Sequence, residues 1–306
     1  MKKLLFSFLI ITSNAFSQAV PNIDELNIPS SPAFVFLDES PANIEKPTNP
    51  KALALSLINV WEGSGAIEFT PYWLYDHKDY TFEDDIVNKV PFWQTFALSV
   101  ATSKKGDSTY VSGGFRVQLF RVYADTAAIS STKADIIAEL LNDPIDESAI
   151  KGHLKRLNEK RARIKWNIEL AGAYSGMGTS KSDLNSNKVG AWLNIRHTPN
   201  GFPLDIVGLL RYSAATATID SDKNQSFFDY GISLSKQGDT FDLQFEYVNR
   251  KDFLIEKNYD RLAFVANYQI IPGFVAVASI GKNFDNVDNL FTSLGVKFGL
   301  SKQKVN

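Results

Sequence analysis

The chain has 306 residues, 44% hydrophobic and 22% charged, so it is neither disordered nor collagen-like and is long enough for one large domain or two ordinary ones. Its 32 Lys+Arg against 34 Asp+Glu give a formal charge of -2, which supplies no field that would select nucleic acid. With no cysteine and three histidines, disulfides, thiol nucleophiles and Cys-based metal sites are excluded, a His-rich centre lacks ligands, and no cofactor is expected.

The first 17 residues read as a signal peptide: Lys2 and Lys3 are a basic start, Leu4 to Ile11 an apolar stretch, and Ala15-Phe16-Ser17 a small-x-small cleavage site. The apolar run is far short of the roughly 20 residues a membrane-crossing helix needs, and no later window approaches that length. Residues 18–50 follow as an arm holding Pro21, Pro29, Pro32, Pro41, Pro47 and Pro50. Proline has no N–H for a strand ladder, so the arm is extended, and its apolar centre from Phe34 and Phe36 to Leu37 predicts that it is packed. It either plugs a barrel lumen, meets a periplasmic partner, or lies on the barrel's own rim.

Beyond the arm, alternating apolar and polar residues mark strands. The clearest are Ile164, Trp166, Ile168 and Leu170 opposite Lys165, Asn167 and Glu169; Phe228, Tyr230, Ile232 and Leu234 opposite Asp229 and Ser233; and Phe241, Leu243, Phe245 and Tyr247 opposite Asp242, Gln244 and Glu246. Weaker candidates are Ile67 to Trp73, Phe92 to Val100, Val111 to Val122, Val189 to Arg196, Leu204 to Tyr212, Leu262 to Ile270, Phe274 to Gly281 and Leu290 to Leu300.

A soluble β-sandwich also alternates. Segments near ten residues suit tilted membrane crossings better, and aromatics collect at their ends, as in Tyr72-Trp73, Phe92-Trp93, Tyr247 and Tyr268. Tight connections such as Ile271-Pro272-Gly273 alternate with longer polar ones at 178–187, 217–225, 251–260 and 284–289. A further strand at Leu53 to Val60 makes the number even and returns both termini to the periplasm. The expected fold is therefore all-β: a transmembrane antiparallel up-and-down β-barrel of about 12 strands over 51–306, porin-like, in the outer membrane of a Gram-negative cell.

The insertion at about 125–162 switches to helical spacing and is expected on the periplasmic side. Two helices are predicted, from Ser131 with Asp135 as a capping box and from Asp143-Pro144 as a cap with proline at N1. Lys151, Lys155, Arg156, Lys160, Arg161 and Arg163 make the second strongly basic. Such a run is either a solvated face or a docking surface, which with Phe34 and Phe36 would receive an acidic partner or lipid phosphates.

The stretch SPAFVFLDESPANIEKPTNPKALALSL, closed soon after by GAIEFTPYWL, resembles the opening of an uncharacterised family of Gram-negative outer-membrane β-barrel proteins. The similarity is best over 31–74. It implies an outer-membrane location, assigns no activity and brings no catalytic residues.

In the predicted register the lumen receives Glu68, Arg116, Gln118, Lys165, Glu169, Arg196, Asp205, Arg211, Asp229, Asp242, Glu246 and Lys297. A wide pore would keep these groups hydrated, whereas a narrow barrel must pair them. The chain is not expected to be an enzyme: His77, His153 and His197 have no seryl partner, and the loop cluster His77, Asp79, Glu83, Asp84, Asp85 is the one place for general acid–base work. The leading expectation is a passive channel for ions or small solutes. The alternative is a non-conducting structural subunit of an envelope assembly for secretion or outer-membrane-protein biogenesis, docking periplasmic or outer-membrane proteins; lipid is a partner in either case and nucleic acid in neither.

Overall fold

The computed structural model describes residues 32–35, 44–63, 65–142, 146–199, 204–216, 224–236, 240–271, 274–282, 284 and 290–298. The signal peptide, Phe36, the Pro272-Gly273 turn and both chain termini lie outside the described residues.

The elements run α1 (Pro32–Val35), β1 (Ile44–Glu45), α2 (Pro50–Glu62), β2 (Gly65–Phe69), a 3-10 turn (Pro71–Leu74), α3 (Phe82–Val87), α4 (Phe92–Thr95), β3 (Ala97–Lys105), β4 (Ser108–Tyr123), α5 (Thr126–Leu140) and α6 (Glu147–Ala162). Then come β5 (Ile164–Gly178), β6 (Asn185–His197), β7 (Asp205–Ala215), β8 (Gln225–Lys236), β9 (Phe241–Asp252), β10 (Lys257–Ile271), β11 (Phe274–Lys282) and β12 (Leu290–Phe298). They form one 12-stranded sheet in sequential order. Every neighbouring pair from β2 to β12 is antiparallel, and the short β1 pairs parallel with β2. No described helix is long and apolar enough to cross a membrane, which says nothing about crossing by strands.

The predicted strand at Leu53 to Val60 is the helix α2. Asn49 caps it, its side chain accepting from the Ala52 N–H at 2.9 Å, and Pro50 occupies the first turn, where no donor is missed. Alternation in KALALSLINV is therefore overruled by its own cap. Only Ser56 and Val60 are buried, while Leu55, Leu57, Ile58 and Trp61 stay exposed. Thr102 Oγ1 donates to Val60 O at 2.6 Å, seating the helix on the outward side of β2 and β3.

Two predicted strands are shortened for similar reasons. Proline at Pro71 turns the chain into the 3-10 turn, and Phe92–Thr95 coils into α4, with Thr95 Oγ1 donating to Pro91 O at 2.6 Å. The aromatic pairs Tyr72-Trp73 and Phe92-Trp93 thus sit beside the sheet rather than on strands. The expected long loop 251–260 is a turn, Phe253–Glu256, closed by Asp252 Oδ1 accepting from Leu254 N at 2.8 Å.

Burial along the sheet is inverted relative to a soluble protein. One parity carries Glu68, Ser99, Ser112, Ala171, Ala173, Ser175, Trp192, Leu209, Asp229, Ser233, Glu246, Val248, Arg261 and Ala263, all buried. The other carries Tyr174, Val189, Ile195, Leu210, Tyr212, Tyr230, Ile232, Leu234, Phe241, Phe245, Leu262, Phe264, Tyr268 and Ile280, all exposed. The buried face carries the charged side chains together with a few apolar ones, and most of the large apolar side chains lie on the exposed face.

The connections β2–β3 and β4–β5 lie at one end of the sheet and pack together there. Ile86, Tyr123, Ile129 and Leu157 form a buried cluster, with Phe82, Ile136 and Ile164 against it. The two connections thus form a single helical base. Two helices do fill 125–162, but Asp125 caps α5 and Asp146 caps α6, not the residues expected. Each aspartate accepts from an N–H in the first turn, as the unpaired donors there require.

Candidate functional site

The buried face brings most of the predicted interior residues into pairs. Glu68 accepts from Arg116 at 3.0 Å and lies 3.4 Å from Lys46. Gln118 and Glu169, opposite each other on β4 and β5, are hydrogen bonded at 3.0 Å. Asp229 sits between Arg211 and Arg250 on the two adjacent strands and is paired with both. Glu246 accepts from Arg261 at 2.9 Å and from Gln244 at 2.5 Å. Asp229 and Glu246 are 0% exposed and Arg261 is 1% exposed, while Arg250 keeps part of its side chain open to solvent.

The other predicted residues are placed as follows. Asp205 accepts from Thr198 at 2.7 Å near the helical base. Arg196 is opposite Val207 and Asn167, and Asp242 is opposite Asn267. Lys165 gives its backbone oxygen to His197 Nδ1 at 2.9 Å. Lys297 lies in β12 opposite Val275, and its side chain is outside the described set.

Sequence reading missed Lys46, Arg250 and Arg261, although the signal was available for the last two. Arg250 continues the parity of Asp242 and Glu246 beyond Tyr247, and Arg261 continues that of Ala263 before Leu262. Each lies just past the boundary given to its strand. The interior also holds an unanticipated apolar layer: Ala171, Ala173, Trp192, Leu209 and Val248, with Phe284 packed on it. The Arg250 guanidinium lies 3.9 Å from the Phe284 ring centre, a cation–π contact that ties this residue to the Asp229 pairs.

The arm contributes to this face directly. Ala33 is 0% exposed, its N–H donates to Ser99 Oγ at 3.2 Å, and it clusters with Ala66 and Ala101. A Cβ on Gly114 would come within 2.7 Å of Ala33 N, so this β4 position accepts α1 only as glycine. The segment Pro32–Val35 packs against the buried face of β3 to β5. Phe34 therefore belongs to a segment held by this chain's own sheet.

The basic residues of α6 divide. Lys160 donates to Ala128 O at 3.2 Å and Arg161 to Asp85 at 3.1 Å, so both bind the base itself. Lys151, Lys155 and Arg156 are exposed, with partners on their own helix: Glu147 at 4.0 Å, Glu159 at 3.7 Å and His153 at 2.7 Å. Arg163 is exposed beyond the helix end.

The cluster around His77 is held by contacts to its own loop and to the helical base. His77 stacks on Tyr72 at 3.7 Å and bonds Tyr72 O at 2.8 Å, while Asp85 is paired with Arg121 and Arg161. Among the described residues no group of three or more His, Asp or Glu is placed to hold a metal ion. Asp84 closes a capping box with Thr81, whose N–H holds its carboxyl below the usual range, and Glu83 is lowered chiefly by its hydrogen bond from Lys133 at 2.6 Å. Because both pKa values are depressed on folding, this link between α3 and α5 is present above the ordinary carboxylate range and is lost as pH falls below it. A carboxyl-carbon NMR titration is expected to give midpoints for Glu83 and Asp84 below those of the same residues in an unfolded chain; midpoints equal to the unfolded ones would mean the cap and ion pair do not persist in solution.

No protein-family model matches the chain, and no curated protein matches it. Among solved structures the chain is similar to the NanC porin in a rhombohedral crystal form, at 9% identity, over 67% of this chain and 93% of that one, with a TM-score of 0.36.

Proposed function

We propose that the protein is an integral outer-membrane β-barrel of a Gram-negative cell that keeps its interior closed and acts as a membrane-anchored docking subunit, with the helical base on the periplasmic side. The observation that carries this reading is the buried layer of Asp229, Glu246 and Arg261, where a water-filled channel would leave the same groups exposed. The outward band is consistent with lipid: between Phe241 and Tyr247 and between Leu262 and Ile270 no charged side chain points outward, as a hydrocarbon-facing wall requires. The exposed apolar side of α2 extends the same band. Successive reversals leave β2 and β12 running in the same direction, so in this reading the barrel closes through a parallel seam, with β1 on the edge of β2.

The direct test is current across planar bilayers. Purified mature protein is expected to be silent, and a steady conductance from the intact chain would overturn the closed-interior reading. Membrane insertion is tested separately in single-tryptophan variants with brominated lipids. Trp192, on the buried face, should resist quenching, while Tyr230→Trp on the outward face should be strongly quenched; equal quenching at both would remove the inside–outside assignment.

A specific observation supports a passive channel as the second reading. The buried-face residues of β3 to β5 around α1 include the small Ser99, Ala101, Ser112 and Ala173, with Tyr110 the large one packed on the Ala33 cluster, so withdrawal of α1 would leave a path past the small ones.

A further inference from the structure

We infer that the cleft at the foot of β4, between the 3-10 turn, α3 and α6, binds a small organic anion: a carboxylate on a ring-sized apolar body. The cleft has a volume of about 360 Å³ and lies where the end of β4 meets the helical base, with Arg121 of β4 in its wall. Its walls include Trp73, Tyr80 and Phe82. Trp73 is fixed by its Nε1–H donating to Gln94 O at 2.8 Å and meets the Tyr80 ring edge-on, centroids 5.9 Å apart.

The polar side of the cleft has more donors than acceptors. Asp85 is its one carboxylate, and both oxygens are engaged: Oδ1 by Arg121 at 2.8 Å and Oδ2 by Arg161 at 3.1 Å. Two guanidiniums against one carboxylate leave a net positive charge at the site. Arg121 is 8% exposed, and its Nε, though buried, has no acceptor among the described residues. Arg161 is partly open to solvent and retains nitrogens beyond the one bound to Asp85. The Tyr80 hydroxyl, kept neutral by burial that raises its pKa, donates to Asp85 Oδ1 at 3.5 Å and so adds a further donor to the carboxylate's partners.

These features choose between ligand classes. A cation would meet net positive charge and a carboxylate already saturated. Bare phosphate would leave the aromatic walls uncovered. A carboxylate matches the planar guanidinium fork, and its apolar body covers the rings. The inference does not require the barrel to conduct: apart from Arg121, which lies opposite Asn167 on the buried face of the sheet, the groups named belong to the turns and helices of the base.

The test is calorimetric titration of the full mature chain in detergent with phenylacetate, with benzyl alcohol and inorganic phosphate as comparison probes. Phenylacetate should bind at least tenfold more tightly than either, and Arg161→Gln should weaken it at least tenfold. Lys151→Gln, on the same helix but outside the cleft, should change nothing. If Arg161→Gln disturbs the base, a Phe82→Leu chain tests the apolar wall instead and should also lose affinity for phenylacetate. Equal affinity for phenylacetate and benzyl alcohol, a preference for phosphate, or no binding of phenylacetate at millimolar concentration would each overturn the inference.

Discussion

Replacing Arg261 with methionine is expected to destabilise the folded protein by about 3–5 kcal/mol, the usual cost of removing one partner of a buried ion pair. Glu246, 0% exposed and 2.9 Å from Arg261, would keep its charge in a buried position with no guanidinium to compensate it. Gln244, at 2.5 Å, offers a neutral donor that softens this loss without replacing the charge. The double replacement Arg261→Met with Glu246→Leu removes both charges together and should recover most of the stability, because apolar substitutes of similar volume replace buried pairs well. Urea titration in detergent, followed by the heat-modifiable gel shift of the folded form, measures all three chains. A single variant within about 0.5 kcal/mol of the parent, the scatter of ordinary surface changes, would show that water enters this layer.

The same layer shows how far the sequence could be read. Alternation located β4 to β12 because a sheet with one apolar face repeats its side-chain direction every two residues. Strand ends were less visible, since beyond the apolar band the residues become polar on both faces. Asn249 and Asp260 are bonded to each other at 2.7 Å across β9 and β10, yet neither carries an alternating signal. For that reason Arg250 and Arg261 escaped notice while Asp229 and Glu246 did not.

Helices posed a different difficulty. KALALSLINV has apolar residues on nearly every side, so it satisfies period two and period 3.6 alike, and only the Asn49-Pro50 cap separates them. In α6 the basic run was plain in the sequence, but its division was not. Lys160 and Arg161 turn to Ala128 and Asp85 because α5 and α3 pack beside them, a tertiary fact without a local signature. The orphan Nε of Arg121 is equally invisible, since it depends on how Tyr123 and Asp85 surround one guanidinium.

Gly114→Val is expected to turn a silent protein into a conducting one. A Cβ at this position would lie 2.7 Å from Ala33 N and 3.0 Å from Gly172 O, both backbone atoms that cannot rotate aside. The sheet ladder fixes Gly172, whereas α1 is a short helix with a single described hydrogen bond to the sheet, Ala33 N to Ser99 Oγ. Of the two, α1 should yield. Its departure uncovers Ser99, Ala101, Ser112 and Ala173, small residues that then line water instead of Pro32 and Ala33. Current from Gly114→Val should match that from a chain lacking residues 18–50, and protease should cut the arm faster than in the parent. Gly113→Val, at a neighbouring glycine with open space around its Cβ, should leave both properties unchanged. Were the Gly114→Val protein silent with its arm still protected, α1 would not be what closes the interior, and the ion pairs around Asp229 and Glu246 would have to close it alone.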